Sequence, residues 1–326
     1  MSNGWRSLRR RILTPSVSET SLVKRGFPRK DAASQELLET VGEKFLTGYA
    51  NAVEARSPAQ AEEWLETIPA RFRGFAYEGA GMGYAMLDGL PGGGRRHVAD
   101  FLAGPAEKHT YIVYVGIGWA MARLPRFRWP SPDGLDPLLR WLVLDGYGFH
   151  QAYFRTEKYV RRQYREPAFP WPGGRYSEYA QRGIDQGIGR ALWFVCGTDV
   201  DLVASTIAGF PEHRRSDLYA GVGLASTYAC GATDDELAEL VRLAGPHRGP
   251  LAQGSAFAAE ARVRAGLLIP ETDRATRAIC GLPAERAAAI TQEVRPAVPV
   301  DGVVPAFESW RQRIADEVLT SGGVAP

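Results

Sequence analysis

Apolar positions along this chain recur at three- and four-residue spacing rather than in alternation, so the pattern predicts helices almost throughout. Over residues 31–56 the stripe is Leu37, Leu38, Val41, Phe45 and Leu46. Ser57-Pro58 then sets a capping hydroxyl ahead of a proline at the first helical position, opening a helix through Trp64 and Ile68. Thr198-Asp199 and Thr233-Asp234 mark two further helix starts. Ile112 to Val115 is the best strand candidate, β-branched and aromatic. The glycine pattern that follows argues that it enters a helix instead.

That pattern is a frame, Gly-x-small-x-small, found seven times, with first glycines Gly48, Gly79, Gly116, Gly146, Gly187, Gly221 and Gly254. These stand 31, 37, 30, 41, 34 and 33 residues apart, the period of repeats built from one helix pair per unit. First and fifth positions share a helix face, so small residues at both let a neighbouring backbone approach. Six copies keep Ala or Gly at the fifth position, and the central copy has His150. The residue before each frame reads Thr47, Glu78, Val115, Asp145, Gln186, Ala220 and Gln253, of which four are acids or amides.

Residues 161–174, with Pro167, Pro170 and Pro172, read as a linker between halves that resemble each other: Phe45–Gly89 aligns with Ile184–Gly231, which implies an internal duplication. The expected fold is all-α, with helical-hairpin repeats in two duplicated halves, compact or solenoid-like. Its parts are a basic arm (1–30), a first half (31–160), a second half (175–295) and a C-terminal segment (296–326), most simply one structural unit. The small-residue tail from Thr320 is expected to fray.

Composition adds two points. The formal net charge of +2 conceals an arm in which residues 1–30 hold eight Lys or Arg against one acid, Glu19. Such an arm either touches an anionic membrane surface or acidic partner, or is a solvated segment that packs little. Three cysteines, Cys196, Cys230 and Cys280, at unrelated spacing support neither a disulfide framework nor a zinc site, and point to a reducing, cytoplasmic setting. The longest apolar run, Tyr111 to Ala122, falls short of the roughly 20 residues that span a bilayer, and no signal peptide is visible.

Candidate chemistry concentrates on the central frame. Asp145 and His150 lie about 140° apart on a continuous helix and would not touch. Asp145 is either a helix cap or a catalytic acid; His150 is either a core histidine or the imidazole of a cavity. Glu78, Gln186 and Gln253 are likewise either helix-start caps or the lining of one cavity shared by stacked repeats, with Glu78 as acid or base and His150 as its proton partner. The aromatic residues Trp119, Tyr147 and Phe149 belong either to the core or to the wall of an apolar pocket, where Arg190 joins them.

Other motifs fail. The glycine loop at 88–97, ending in Arg95-Arg96-His97, lacks the Lys-Ser/Thr pair of a phosphate loop. No histidine spacing suits a metal, no Gly-x-Ser-x-Gly elbow occurs, and Gly79-Ala-Gly-Met-Gly83 lacks the dinucleotide fingerprint. Nothing indicates nucleic-acid binding. Arg214-Arg215 reads as a solvated helix start with an ion pair.

Five blocks carry a resemblance: Tyr77-Glu78-Gly79-Ala-Gly-Met-Gly83, Val115-Gly-Ile-Gly-Trp119, Leu138 to His150, Asp185-Gln-Gly-Ile-Gly-Arg190-Ala-Leu-Trp193 and Leu251-Ala-Gln253-Gly-Ser-Ala-Phe257. In this order they resemble the bacterial family known as domain of unknown function 1702, whose UnbL-type members accompany the iterative polyketide synthase of enediyne antibiotic clusters in actinomycetes. The resemblance implies a part in turning the synthase's linear polyene into the enediyne core, beside a thioesterase and two other cassette proteins, one of them a membrane protein. It supplies no catalytic residues. Two classes of function follow: an enzyme or enzyme subunit oxidising or desaturating the polyene, for which a haem, a flavin or a partner's electrons would be needed, or a helical-repeat scaffold that shelters the polyene or docks partner enzymes.

Overall fold

A computed structural model describes residues 3–91 and 96–323; part of the glycine loop, residues 92–95, lies outside the described residues. Helix α1 (Asn3–Leu13) and the single turn α2 (Leu22–Arg25) lead into α3 (Ala32–Glu54), α4 (Pro58–Leu65), α5 (Ala70–Gly89), α6 (His97–Leu102), α7 (Thr110–Met121) and α8 (Leu142–Phe154). The chain continues through α9 (Ser177–Val195), α10 (Val200–Ala208), α11 (Glu212–Tyr228), α12 (Asp234–Ala244), α13 (Arg248–Arg264), α14 (Pro270–Cys280), α15 (Ala284–Glu293) and α16 (Ala306–Ser321). The protein is all-α. Ile112 to Val115 lies inside α7, where the glycine frame prevails over β-propensity.

The seven frames fall on α3, α5, α7, α8, α9, α11 and α13, and these helices pack side by side in chain order. Outside them α4 packs on α6, α10 on α12 and α12 on α14. The glycines explain the order. A Cβ on Gly116, Gly146, Gly187, Gly221 or Gly254 would stand 1.9–2.2 Å from the carbonyl oxygen of Glu78, Val115, Asp145, Gln186 or Ala220, in each case the residue before the preceding frame. A Cβ on Gly118, Gly148, Gly189 or Gly223 would stand 1.9–2.1 Å from the carbonyl of Val143, Ile184, Leu218 or Leu251, three residues before the next frame. Every first glycine therefore seats the preceding helix, and every third-position glycine the following one. Gly183 near Trp141 at one end and Gly83 near Val53 at the other show that neighbours run in the same direction.

The first copy departs from the expected register. Gly79 abuts the carbonyl of Phe45, and Gly48 abuts that of Ala76. Gly48 thus acts as the third position, Leu46 as the first, and Phe45 rather than Thr47 precedes the frame. The structural frame is displaced by two residues because Leu46 can stand where no helix precedes α3 in the array.

The array curls until its ends meet. Phe75 on α5 stacks edge-on against Tyr228 on α11 at 5.0 Å, Lys30 reaches Glu236 on α12 at 2.8 Å, and Arg71 reaches Glu271 on α14 at 3.1 Å. The linker does not interrupt it: α8 and α9 pack directly through Gly148 and Gly187, while Phe169 and Trp171 of the linker are buried. Two expectations are corrected. Arg214 is 2% exposed, not solvated, because its guanidinium pairs with Asp185 at 2.5 Å between α11 and α9. Among its described residues the tail is helical to Ser321, and Gly322 seats on the carbonyl of Cys280, so its start packs rather than frays. Residues 324–326 lie outside the described set.

Candidate functional site

On a helix the residue before the frame and the fourth position of the frame share a face, four residues apart. With the glycine faces turned to the neighbouring helices, this face is left to the inside of the curl. It carries Phe45 on α3, Glu78 and Met82 on α5, Trp119 on α7, Phe149 on α8 and Arg190 on α9, and all six line one chamber of about 460 Å³. Leu38, Val41 and Leu46 extend the apolar wall along α3, and Phe194 along α9. Pro15, Glu19 and Thr20, ahead of α2, line it as well. The volume lies within the range of about 300–1,000 Å³ of small-molecule sites.

One charged group crosses the interior. Arg190 Nη1 donates to Asp145 Oδ1 at 2.5 Å, and Nη2 lies 3.4 Å from Glu78 Oε1. Gln186 Nε2 donates to Asp145 Oδ2 at 2.7 Å, and Trp119 Nε1 donates to Glu78 Oε1 at 3.0 Å. The guanidinium also stands over the Phe149 ring at 5.2 Å. Two carboxyls thus share one cation in a buried setting. Burial, reinforced by the neighbouring Asp145 charge and opposed by Arg190, pushes the Glu78 carboxyl above its ordinary range. Burial thus favours the protonated form of Glu78, with Arg190 hydrogen-bonded to Asp145 beside it. Beyond them a hollow of about 40 Å³, lined by Glu78, Arg190, Leu224, Phe257 and Glu260, continues the interior toward α11 and α13.

His150 lines the chamber on α8. Its ring meets Trp119 edge-on at 5.7 Å and Phe154 at 4.7 Å, and its Nδ1 has no hydrogen-bond partner among the described residues. Burial, helped by the positive charge of Arg123, Arg155 and Arg25, pushes its pKa down to about 3, so the imidazole is neutral at physiological pH.

The structure brings Glu78, Asp145, Gln186, Arg190, Trp119, Phe149 and His150 to one region, although Asp145 and Gln186 stand behind the wall. It separates Tyr147 and Gln253 from them. Tyr147 lies on the opposite side of α8 against Phe169 at 5.0 Å, where its hydroxyl accepts from Gln151 at 2.8 Å. Gln253 accepts from Arg311 at 3.0 Å, in a buried cluster with Asp217 and Glu308 that fixes α16 to the array. None of the four polar residues before the frames is a cap: helices start at Ala70, Leu142, Ser177 and Arg248, upstream of Glu78, Asp145, Gln186 and Gln253. Sequence reasoning placed Val41 and Phe45 only in an apolar stripe and gave Met82 no site role; Phe45 and Met82 become readable as lining once the interior positions of the frame are known. Arg25, whose guanidinium lies 4.4 Å from the Phe154 ring centroid, carries no such signal. Among the described residues no three of His, Cys, Asp and Glu converge as metal ligands.

Fold and site define a helical-array protein that encloses an apolar chamber with a carboxyl–guanidinium group in its wall. Residues 4–318 match the family described as protein of unknown function (DUF1702), and the chain belongs to that family. No curated protein and no solved structure matches it.

Proposed function

We propose that the protein acts in enediyne antibiotic biosynthesis, taking the linear polyene of the iterative polyketide synthase into the chamber while the enediyne core forms. The observation that carries this reading is the chamber itself, a space of about 460 Å³ walled by aromatic and aliphatic side chains on five successive array helices. An extended hydrocarbon gains about 25 cal/mol for each Å² of its apolar surface withdrawn from water there. Three buried, unpaired thiols suit the reducing cytoplasm in which the synthase works, and the other proteins of the cassette would supply and withdraw the ligand.

A second reading, proton-transfer catalysis on the bound polyene, is favoured by one specific feature. A carboxyl biased toward its protonated form, Glu78, and a neutral imidazole, His150, face the same space. The carboxyl can donate a proton, while an imidazole with a pKa of about 3 is a weak base that serves to orient the ligand.

An absorption experiment tests both. Added polyene should show an immediate, saturable band shift with the wild-type protein and a much weaker one with Val41→Trp, whose indole intrudes into the chamber. A steady shift makes the protein a binder; slow loss of the bands that Glu78→Gln and His150→Ala abolish makes it an enzyme. If Val41→Trp binds as wild type does, the ligand lies elsewhere.

A further inference from the structure

Helix α1 is amphipathic, and it docks the wrong way round for a helix of a soluble core. Its polar side meets the protein: Arg9 Nε donates to the carbonyl of Val53 at 2.5 Å, Arg10 pairs with Glu54 at 2.6 Å, and Ser7 Oγ donates to Glu54 at 3.2 Å. Its apolar side faces outward. Trp5, Leu8 and Ile12 are 51, 45 and 69% exposed, and at i, i+3 and i+7 they fall within about 60° of one another. Val17 and Val23, 55 and 59% exposed, follow in the same arm. Half of the large exposed apolar side chains among the described residues thus lie in the first 23 positions; Arg6 and Arg11 flank the ridge on α1, while Arg9, Arg10, Lys24, Arg25 and Lys30 pair within the protein.

An aqueous surface gains nothing from that ridge, since exposed contiguous apolar side chains mark contact sites. The flanking charge selects the occupant. Arginines bordering a Trp-Leu-Ile ridge suit a surface with negative headgroups above an apolar layer, into which such a helix lies parallel to the plane. A folded partner would need an apolar groove rimmed by acids. We infer that α1 is an interfacial anchor that seats this protein on an anionic lipid bilayer. Pro15, Glu19 and Thr20 line the chamber a few residues beyond α1, so an anchored helix brings that side of the chamber to the bilayer. The anchor stands on the helix alone and is independent of what the chamber holds.

Sedimentation of the full chain with vesicles tests it, using phosphatidylcholine alone and phosphatidylcholine mixed with phosphatidylglycerol. Wild type should sediment with the mixed vesicles, less so in high salt, and weakly with phosphatidylcholine. The variant Trp5→Ser/Leu8→Ser/Ile12→Ser should keep its unfolding temperature and lose about tenfold or more of the binding. Arg6→Gln/Arg11→Gln should bind more weakly with a flatter salt dependence. Wild type that stays in solution with mixed vesicles overturns the inference, as does a serine variant that sediments like wild type. If wild type ignores vesicles and the serine variant turns a dimer into monomers in analytical ultracentrifugation, the ridge joins two copies and the membrane assignment falls.

Discussion

Gly187→Ala isolates what the array depends on. The added Cβ would stand 1.9 Å from the carbonyl oxygen of Asp145, 2.7 Å from its carbon and 2.8 Å from the nitrogen of Phe149. A carbon–oxygen contact needs about 3.3 Å, so α8 and α9 have to part by about 1.4 Å. Neither obstacle is a side chain that can turn aside, which puts the cost at the upper end of the about 1–3 kcal/mol of overpacking. Alanine returns about 0.5–1 kcal/mol through its better helix propensity. The net loss is about 2 kcal/mol, or about 3 °C in Tm for a chain of this size. The parting also draws Asp145 from Arg190, now 2.5 Å apart. Urea and thermal unfolding followed by circular dichroism measure it. Gly249→Ala is the control, since its Cβ would meet only Leu319 and Ala315 at 3.4 and 3.7 Å; it should stabilise by up to about 1 kcal/mol. If Gly187→Ala matches or exceeds wild type, close carbonyl seating is not what orders the helices.

The interior charges and histidines give two further predictions. Arg190→Met should cost about 3–5 kcal/mol by stranding the buried Asp145 carboxylate, whereas Glu78→Gln, replacing a group already biased toward neutrality, should cost under about 1 kcal/mol in the same unfolding assay; equal losses would refute the shared-cation description. His109 is stacked on Tyr77 at 3.6 Å with neither ring nitrogen hydrogen-bonded, and burial pushes its pKa from 6.5 down to about 3. The unfolded chain then binds a proton below 6.5 that the folded chain refuses until about 3, so this site's contribution is intact above pH 6.5 and lost as pH falls. The loss is about 2 kcal/mol at pH 5, and His109→Phe should spare it; a parallel acid dependence in wild type and variant would count against the assignment.

Much of this was legible in the residues. The sevenfold glycine frame marks the helices that form the array, because only a missing Cβ lets a carbonyl approach that closely, and chain order then gives spatial order. The exception at His150 does mark a chamber wall. Less legible was which face of each helix turns inward. That depends on the direction of curl, a property of the assembled array, so Tyr147 and Gln253 looked equivalent to Phe149 and Gln186 in sequence although they serve the outer packing and the α16 cluster. The two-residue shift in the first copy was hidden because Gly48 satisfies the pattern in either role. The pairing of Arg190 with Glu78 joins residues 112 positions apart, and no local pattern records it.

The residue before each frame has two separate duties. From Phe45 to Ala220 its carbonyl receives the next helix's glycine, while its side chain is left for other use: Phe45 and Glu78 look into the chamber, and Asp145 and Gln186 stand behind its wall. Cohesion is written in backbone and missing Cβ atoms, and chemistry in side chains that take no part in that seating. The positions held by Phe45, Met82, Trp119 and Phe149 can therefore change without touching the glycine seats, whereas Arg190 also holds the buried Asp145 carboxylate. An architecture divided in this way lets a lineage of such proteins change its guest while keeping its frame.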